Sequence, residues 1–153
     1  PRFSLVAFLV QMPHLSLASE AERMKGSALT DADKEELQLR AEYARRWLDI
    51  ADEQYRFQLR TDQVPVEVRS LSQKQKAALH DVLTYIQSHA MLDGQELHTE
   101  LHEIKKRHEL SPADFFGALY QSFLGKPSGP KAGWFLSVLE RDFLISRLTA
   151  VAE

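Results

Sequence analysis

The sequence predicts an all-α fold, a multi-helix cage or bundle in two small helical subdomains, residues 1–70 and 71–153. Three observations lead there. Nearly every segment carries apolar residues at helical spacing, and no stretch sustains the polar/apolar alternation of a strand. Helix starts and stops are marked by capping residues, proline and glycine. At 153 residues and 44% hydrophobic content, the chain has enough apolar surface to bury a core.

Taken in order, Phe3 to Gln11 reads as a short buried helix ended near Pro13, and Leu17 to Lys25 as a second stopped by Gly26. Thr30 and Asp33 have capping-box spacing and open a long helix to about Ala51. Its apolar face is Leu37, Ala41, Ala44, Leu48 and Ala51, widened by Tyr43, Trp47 and Ile50. From Tyr55 to Leu71 the period lapses around Pro65, which suggests an extended crossing or linker and sets the subdomain boundary. Ser72 and Gln75 form a second capping box, followed by Leu79, Val82, Leu83, Ile86 and Ala90 at helical spacing, with an end before Asp93-Gly94. Gln95 to His108 places Leu97, Leu101, Ile104 and His108 on one face.

The clearest punctuation lies between Ser111 and Phe135. Ser111 caps a helix with Pro112 at its first position, Gly125 suits the left-handed residue after its last turn, and Gly129-Pro130 restarts the chain. The next stripe is Ala132, Phe135, Leu136 and Leu139; Phe143, Leu144, Leu148 and Val151 either continue it or follow a break near Glu140 to Asp142. No internal repeat or low-complexity tract is present.

Composition narrows the function. Zero cysteines exclude a disulfide framework and thiolate metal sites, which fits a reducing, cytoplasmic compartment. A net charge of −3 argues against a general polyanion binder such as a DNA-packaging protein, so any nucleic-acid contact must be focal. The apolar run Phe3 to Val10 is far short of the ~20 residues that span a bilayer, so no membrane partner is expected. Arg2, that run, and Ala18 and Ala21 have some features of a secretory leader. The opening on Pro1 instead favours a segment of a longer protein.

Several constellations invite a chemical reading. His98 and His102 lie four apart on a helix, a spacing that can chelate a metal. Thr99 stands where a zincin needs glutamate and Leu101 where the inverted motif needs it, so two solvated histidines are the expected state, with no metal ligands assigned. A metal-dependent hydrolase built on this pair ranks far behind the other readings. The glycines Gly125, Gly129 and Gly133 follow a helix and are interrupted by Pro127 and Pro130, which favours a loop over a helix-packing motif or a dinucleotide fingerprint. That loop brings Lys126 and Lys131 to a helix N-terminus, a place able to hold a phosphate. Lys105, Lys106 and Arg107 end a helix, where cations offset the dipole. Trp134, with Val138 and Arg141 following at helical spacing, either covers a core edge or offers a stacking platform near the two lysines. Arg56 and Phe57 admit the same two readings. The candidate RNA-binding residues are therefore Lys126, Lys131, Trp134, Arg141, Arg56 and Phe57, with no catalytic residue.

Phe115, Phe116, Ala118, Leu119, Tyr120 and Leu124-Gly125-Lys126, then Ser128-Gly129-Pro130 and Gly133 with Phe135, resemble the C-terminal region of class I lysyl-tRNA synthetases. The run Arg40 to Leu48 and the opening Phe3 to Gln11 join that resemblance, and Arg147-Leu148 is similar to the anticodon-binding ends of glutamyl-tRNA synthetases. The resemblance implies an all-helical anticodon-binding region. Its partners would be a lysine-specific tRNA and a catalytic domain of the same chain, which joins lysine to tRNA with ATP and magnesium. The two class I signature motifs are absent from this sequence, so no cofactor is expected to bind it. The competing reading is a helical protein-interaction module without RNA binding.

Overall fold

The computed structural model describes residues 3–12, 15–52 and 56–153, and no described residue lies in a strand. The helices are α1 (Phe3–Leu9), α2 (Leu17–Lys25), α3 (Asp31–Ile50), α4 (Gln73–Ser88), α5 (Gly94–Arg107), α6 (Pro112–Leu124), α7 (Ala132–Ser137) and α8 (Arg141–Ala152). The all-α prediction holds, for the local reasons expected. In both capping boxes, Thr30–Asp33 and Ser72–Gln75, the side chains and backbone N–H groups bond reciprocally. Gly125 ends α6 at φ 66°, a left-handed conformation that penalises a Cβ. The terminal apolar residues follow a break, since α7 stops at Ser137 and α8 starts at Arg141.

The chain forms two compact units, Pro1–Gln58 and Leu59–Glu153. The division thus falls between Gln58 and Leu59, ahead of the boundary expected at residue 70. Tyr55, where the period begins to lapse, lies outside the described residues.

In the first unit α1 packs on α3. Val6, Ala7, Ala21, Leu37, Ala41 and Ala44 form the core, and Val10, Leu17, Leu29 and Trp47 pack against it. Small alanines on α3 let the helices approach closely, and Trp47 fills the margin with Phe3 edge-on at 5.6 Å. Lys25 Nζ reaches Asp33 Oδ2 at 2.8 Å. This bond and the Thr30 cap hold the Asp33 carboxyl well below the usual carboxylate range.

The second unit is built around α6. Phe115, Leu119, Phe123 and Leu124 are buried almost completely. Phe123 meets Phe135 and Phe143 edge-on at 6.2 and 5.9 Å. α4 supplies Ala78, Leu79, Val82, Leu83 and Ile86, while α8 supplies Leu144, Leu148 and Val151. The expected linker is an ordered strap: Arg60 N–H donates to Phe123 O at 2.8 Å, and Val66–Ser70 forms a 3₁₀ turn against α6. Buried Arg147 pins it, donating to the carbonyls of Ser122 (2.7 Å), Arg60 (2.6 Å) and Gln63 (3.0 Å). Its guanidinium also lies 5.0 Å from the centre of the Phe143 ring.

Candidate nucleic-acid interface

The α6–α7 loop and α7 carry three of the six sequence-derived candidates, Lys126, Lys131 and Trp134, and the α5–α7 contact sets the geometry. It is closest at Gly133, where a Cβ would lie 2.4 Å from the backbone N and the Cβ of His98. The partner contact is Trp134 on Gly94, where a Cβ would fall 2.6 Å from Trp134 Cδ2. Gly133 therefore serves helix packing, which corrects the loop reading for that glycine, while Gly125 and Gly129 do lie in the loop between α6 and α7. The Trp134 indole is half-buried over the start of α5. Trp134 and Arg141 do not share a helix flank, because α7 ends between them.

The Lys126–Lys131 segment folds back on α6, where the Tyr120 hydroxyl donates to Pro130 O at 2.5 Å. Burial pushes the Tyr120 phenol up to about 12, so it stays a donor at neutral pH. Lys126 is half-buried and Lys131 exposed. The helix terminus beside Lys131 is not an open phosphate cradle, because Gly133 N–H is directed to His98 Nδ1 at 3.2 Å.

His98 and His102 are half-buried rather than solvated. Their Nε2 atoms lie 3.2 Å apart, and their rings pack edge-on at 4.8 Å. Phe116 of α6 backs both, 6.0 Å from His98 and 5.1 Å from His102. Burial is the main cause that lowers both imidazole pKa values; the neighbouring His102 ring and Lys131 lower that of His98 further, and Lys105, Lys106 and Lys131 lower that of His102 against an opposing Glu103. Because Gly133 donates to Nδ1, neutral His98 carries its proton on Nε2. Chelation through both Nε2 atoms is therefore opposed by this proton. No group of three or more potential metal ligands occurs among the described residues.

The other candidates do structural work. Arg141 donates to Ile86 O at 2.7 Å and His89 O at 2.8 Å, completing the C-terminal end of α4. Arg56, in the first unit, donates to Ala51 O from Nε and Nη2 at 3.2 and 2.7 Å, and so closes α3. Phe57 lies 5.7 Å from the Phe8 ring, and its N–H donates to Gln11 Oε1 at 2.9 Å. The structure thus brings Lys131 and Trp134 to the α5–α7 surface, gives Arg141 and Arg56 roles in closing helices, and packs Phe57 beside Phe8. Sequence reasoning missed that Lys105 joins the histidine pair, its Nζ 3.4 Å from His102 Nδ1. The signal was present in the i, i+4, i+7 spacing of His98, His102 and Lys105.

The family described as "Anticodon binding domain" matches residues 8–152. The chain is 32% identical over 152 residues to a lysine–tRNA ligase of Pyrococcus horikoshii, covering 95% of this chain and 28% of the relative. The lysine–tRNA ligase of Pyrococcus furiosus is 31% identical with the same coverages. That of Halobacterium salinarum is 30% identical, covering 95% of this chain and 27% of its own length. The chain therefore spans little more than a quarter of these relatives.

Proposed function

The chain belongs to the anticodon binding domain family, and from that membership we propose that it binds the anticodon stem-loop of a lysine-specific tRNA as the non-catalytic region of a class I lysine–tRNA ligase. The observation that carries this reading is the family match over residues 8–152, joined by lysine–tRNA ligase relatives along nearly the whole chain. The cationic and aromatic surface of α5, α6 and α7 supplies suitable chemistry. Lysines fix phosphates and aromatic faces accept unstacked bases. Residues 71–153 would carry the anticodon contacts and residues 1–70 the connection to the catalytic domain. ATP and magnesium would be bound by that domain, in the cytoplasm. The chain's own part is to hold one end of the tRNA so that the distant acceptor end is positioned for aminoacylation.

The test is titration of the purified chain with a lysine tRNA and an anticodon-swapped version at two salt concentrations. The expected result is tighter, salt-sensitive binding of the lysine tRNA, with the preference reduced in a Lys126→Ala/Lys131→Ala variant. Equal binding of both tRNAs would overturn anticodon recognition. A second reading, a protein-docking module, rests on the outward face of α3, where Leu39, Tyr43 and Ile50 are 52%, 57% and 83% exposed at helical spacing. RNA binding that survives Tyr43→Ser/Ile50→Ser would separate that face from recognition.

A further inference from the structure

A line of hydrogen-bonding groups crosses the α5–α7 surface, and its protons do not balance. Gly133 N–H enters at one end, directed to His98 Nδ1 at 3.2 Å. The Lys105 ammonium enters at the other, 3.4 Å from His102 Nδ1. Between them the two Nε2 atoms are 3.2 Å apart. With His98 accepting from Gly133, its Nε2–H donates to His102 Nε2, so neutral His102 keeps its proton on Nδ1. That proton faces an ammonium, donor against donor. The other His102 tautomer accepts from Lys105 but sets two N–H groups against each other between the rings. Both arrangements leave one contact without an acceptor. An anionic oxygen beside Lys105 and His102 Nδ1 would accept from both and remove the mismatch.

We propose that the His102 Nδ1–H and the Lys105 ammonium, with Lys131 beside them, hold a backbone phosphate of single-stranded RNA. This rests on the RNA-binding reading above and assigns it a position. Phe116 holds both imidazoles in place from α6. The surrounding charge is predominantly positive. On α5, Lys105 and Lys106 face His102, with Glu103 opposing them and paired to Lys106 at 3.3 Å; Lys131, just before α7, acts on both rings. From α4, Asp81 is engaged further along by His108 at 2.7 Å and Arg107 at 3.2 Å. This field favours neutral imidazoles, the state in which the line lacks one acceptor, at Lys105 and His102 Nδ1.

The experiment follows the imidazole resonances of the chain by NMR, and Kd, during titration with the anticodon stem-loop of a lysine tRNA at about pH 8, where His98 and His102 are neutral. Inorganic phosphate serves as a separate probe. RNA addition is expected to move the His102 resonances more than those of the other histidines. His102→Gln should raise Kd about three- to tenfold while the protein remains folded. Lys105→Gln, at a position that tolerates polar exchange, provides the same test should His102→Gln perturb packing. Anticodon-selective binding with unmoved His102 signals and a Kd unchanged in His102→Gln would overturn the site and leave the recognition reading standing. No stem-loop binding would overturn both. Shifts produced by inorganic phosphate but not by RNA would overturn the RNA assignment in favour of a free-phosphate site.

Discussion

At the end of α4, the Arg141 guanidinium donates to Ile86 O and His89 O, so its charge is spent on carbonyls that the helix leaves without intrahelical partners. On the face of α5, by contrast, Lys105 approaches an imidazole nitrogen at 3.4 Å with a second cation, Lys131, nearby. Both regions are basic and both were legible as such in the sequence. The difference is whether the fold supplies an acceptor. A cation that closes a helix contributes to stability, and one that faces other donors gains most from an anionic partner brought from outside.

The largest expected effect extends the first kind of cation to its most buried example. Arg147→Ala should destabilise the second unit by about 3 kcal/mol, since it strands three carbonyls and releases the Arg60–Gln63 strap. Urea unfolding measures this, and a loss below about 1 kcal/mol would show that the strap is held by other contacts. Gly133→Ala should cost about 2 kcal/mol, because the added Cβ forces α7 away from His98. The same variant should move the His98 imidazole resonance. Arg141→Ala should cost about 1 kcal/mol and change stem-loop affinity less than about twofold. Exposed Lys131→Ala should do the reverse: stability within about 0.5 kcal/mol, Kd raised about three- to tenfold, and the salt slope reduced by about one. If the two substitutions exchanged their effects, the contrast between the regions would fail.

The smallest effect sharpens the histidine side. The folded-state pKa values of His98 and His102 are below their ordinary value of 6.5, so the unfolded chain takes up these protons first. Their contribution to stability is intact above about pH 6.5 and declines as pH falls from there through the folded-state values. Thermal unfolding of the RNA-free chain across that range should show the decline, and His102→Gln should reduce it. An unchanged pH dependence in that variant would place the titration elsewhere.

Much of the fold was readable one residue neighbourhood at a time. Thr30, Ser72, Ser111 and Gly125 specify helix ends through bonds and dihedral angles within a few residues. The buried faces of α4 and α5 followed from apolar spacing alone. The site was less legible. Trp134 and Phe57 could be read as packing or as stacking groups, and only their partners show that Trp134 lies over Gly94 and Phe57 beside Phe8. The histidine pair read as solvated because helical spacing says nothing of the helix packed on top of it.

By itself the sequence determined the all-α class, the capped helix ends and a resemblance that the family match bears out, since caps, periodicity and motif order are short-range properties of the chain. Only the tertiary structure decided which charges are satisfied. Arg147 meets the Arg60 carbonyl across 87 residues, Arg141 meets Ile86 across 55, and Gly133 meets His98 across 35. Such pairings depend on helix packing, and a donor's availability to RNA depends on whether that packing has already placed an acceptor against it.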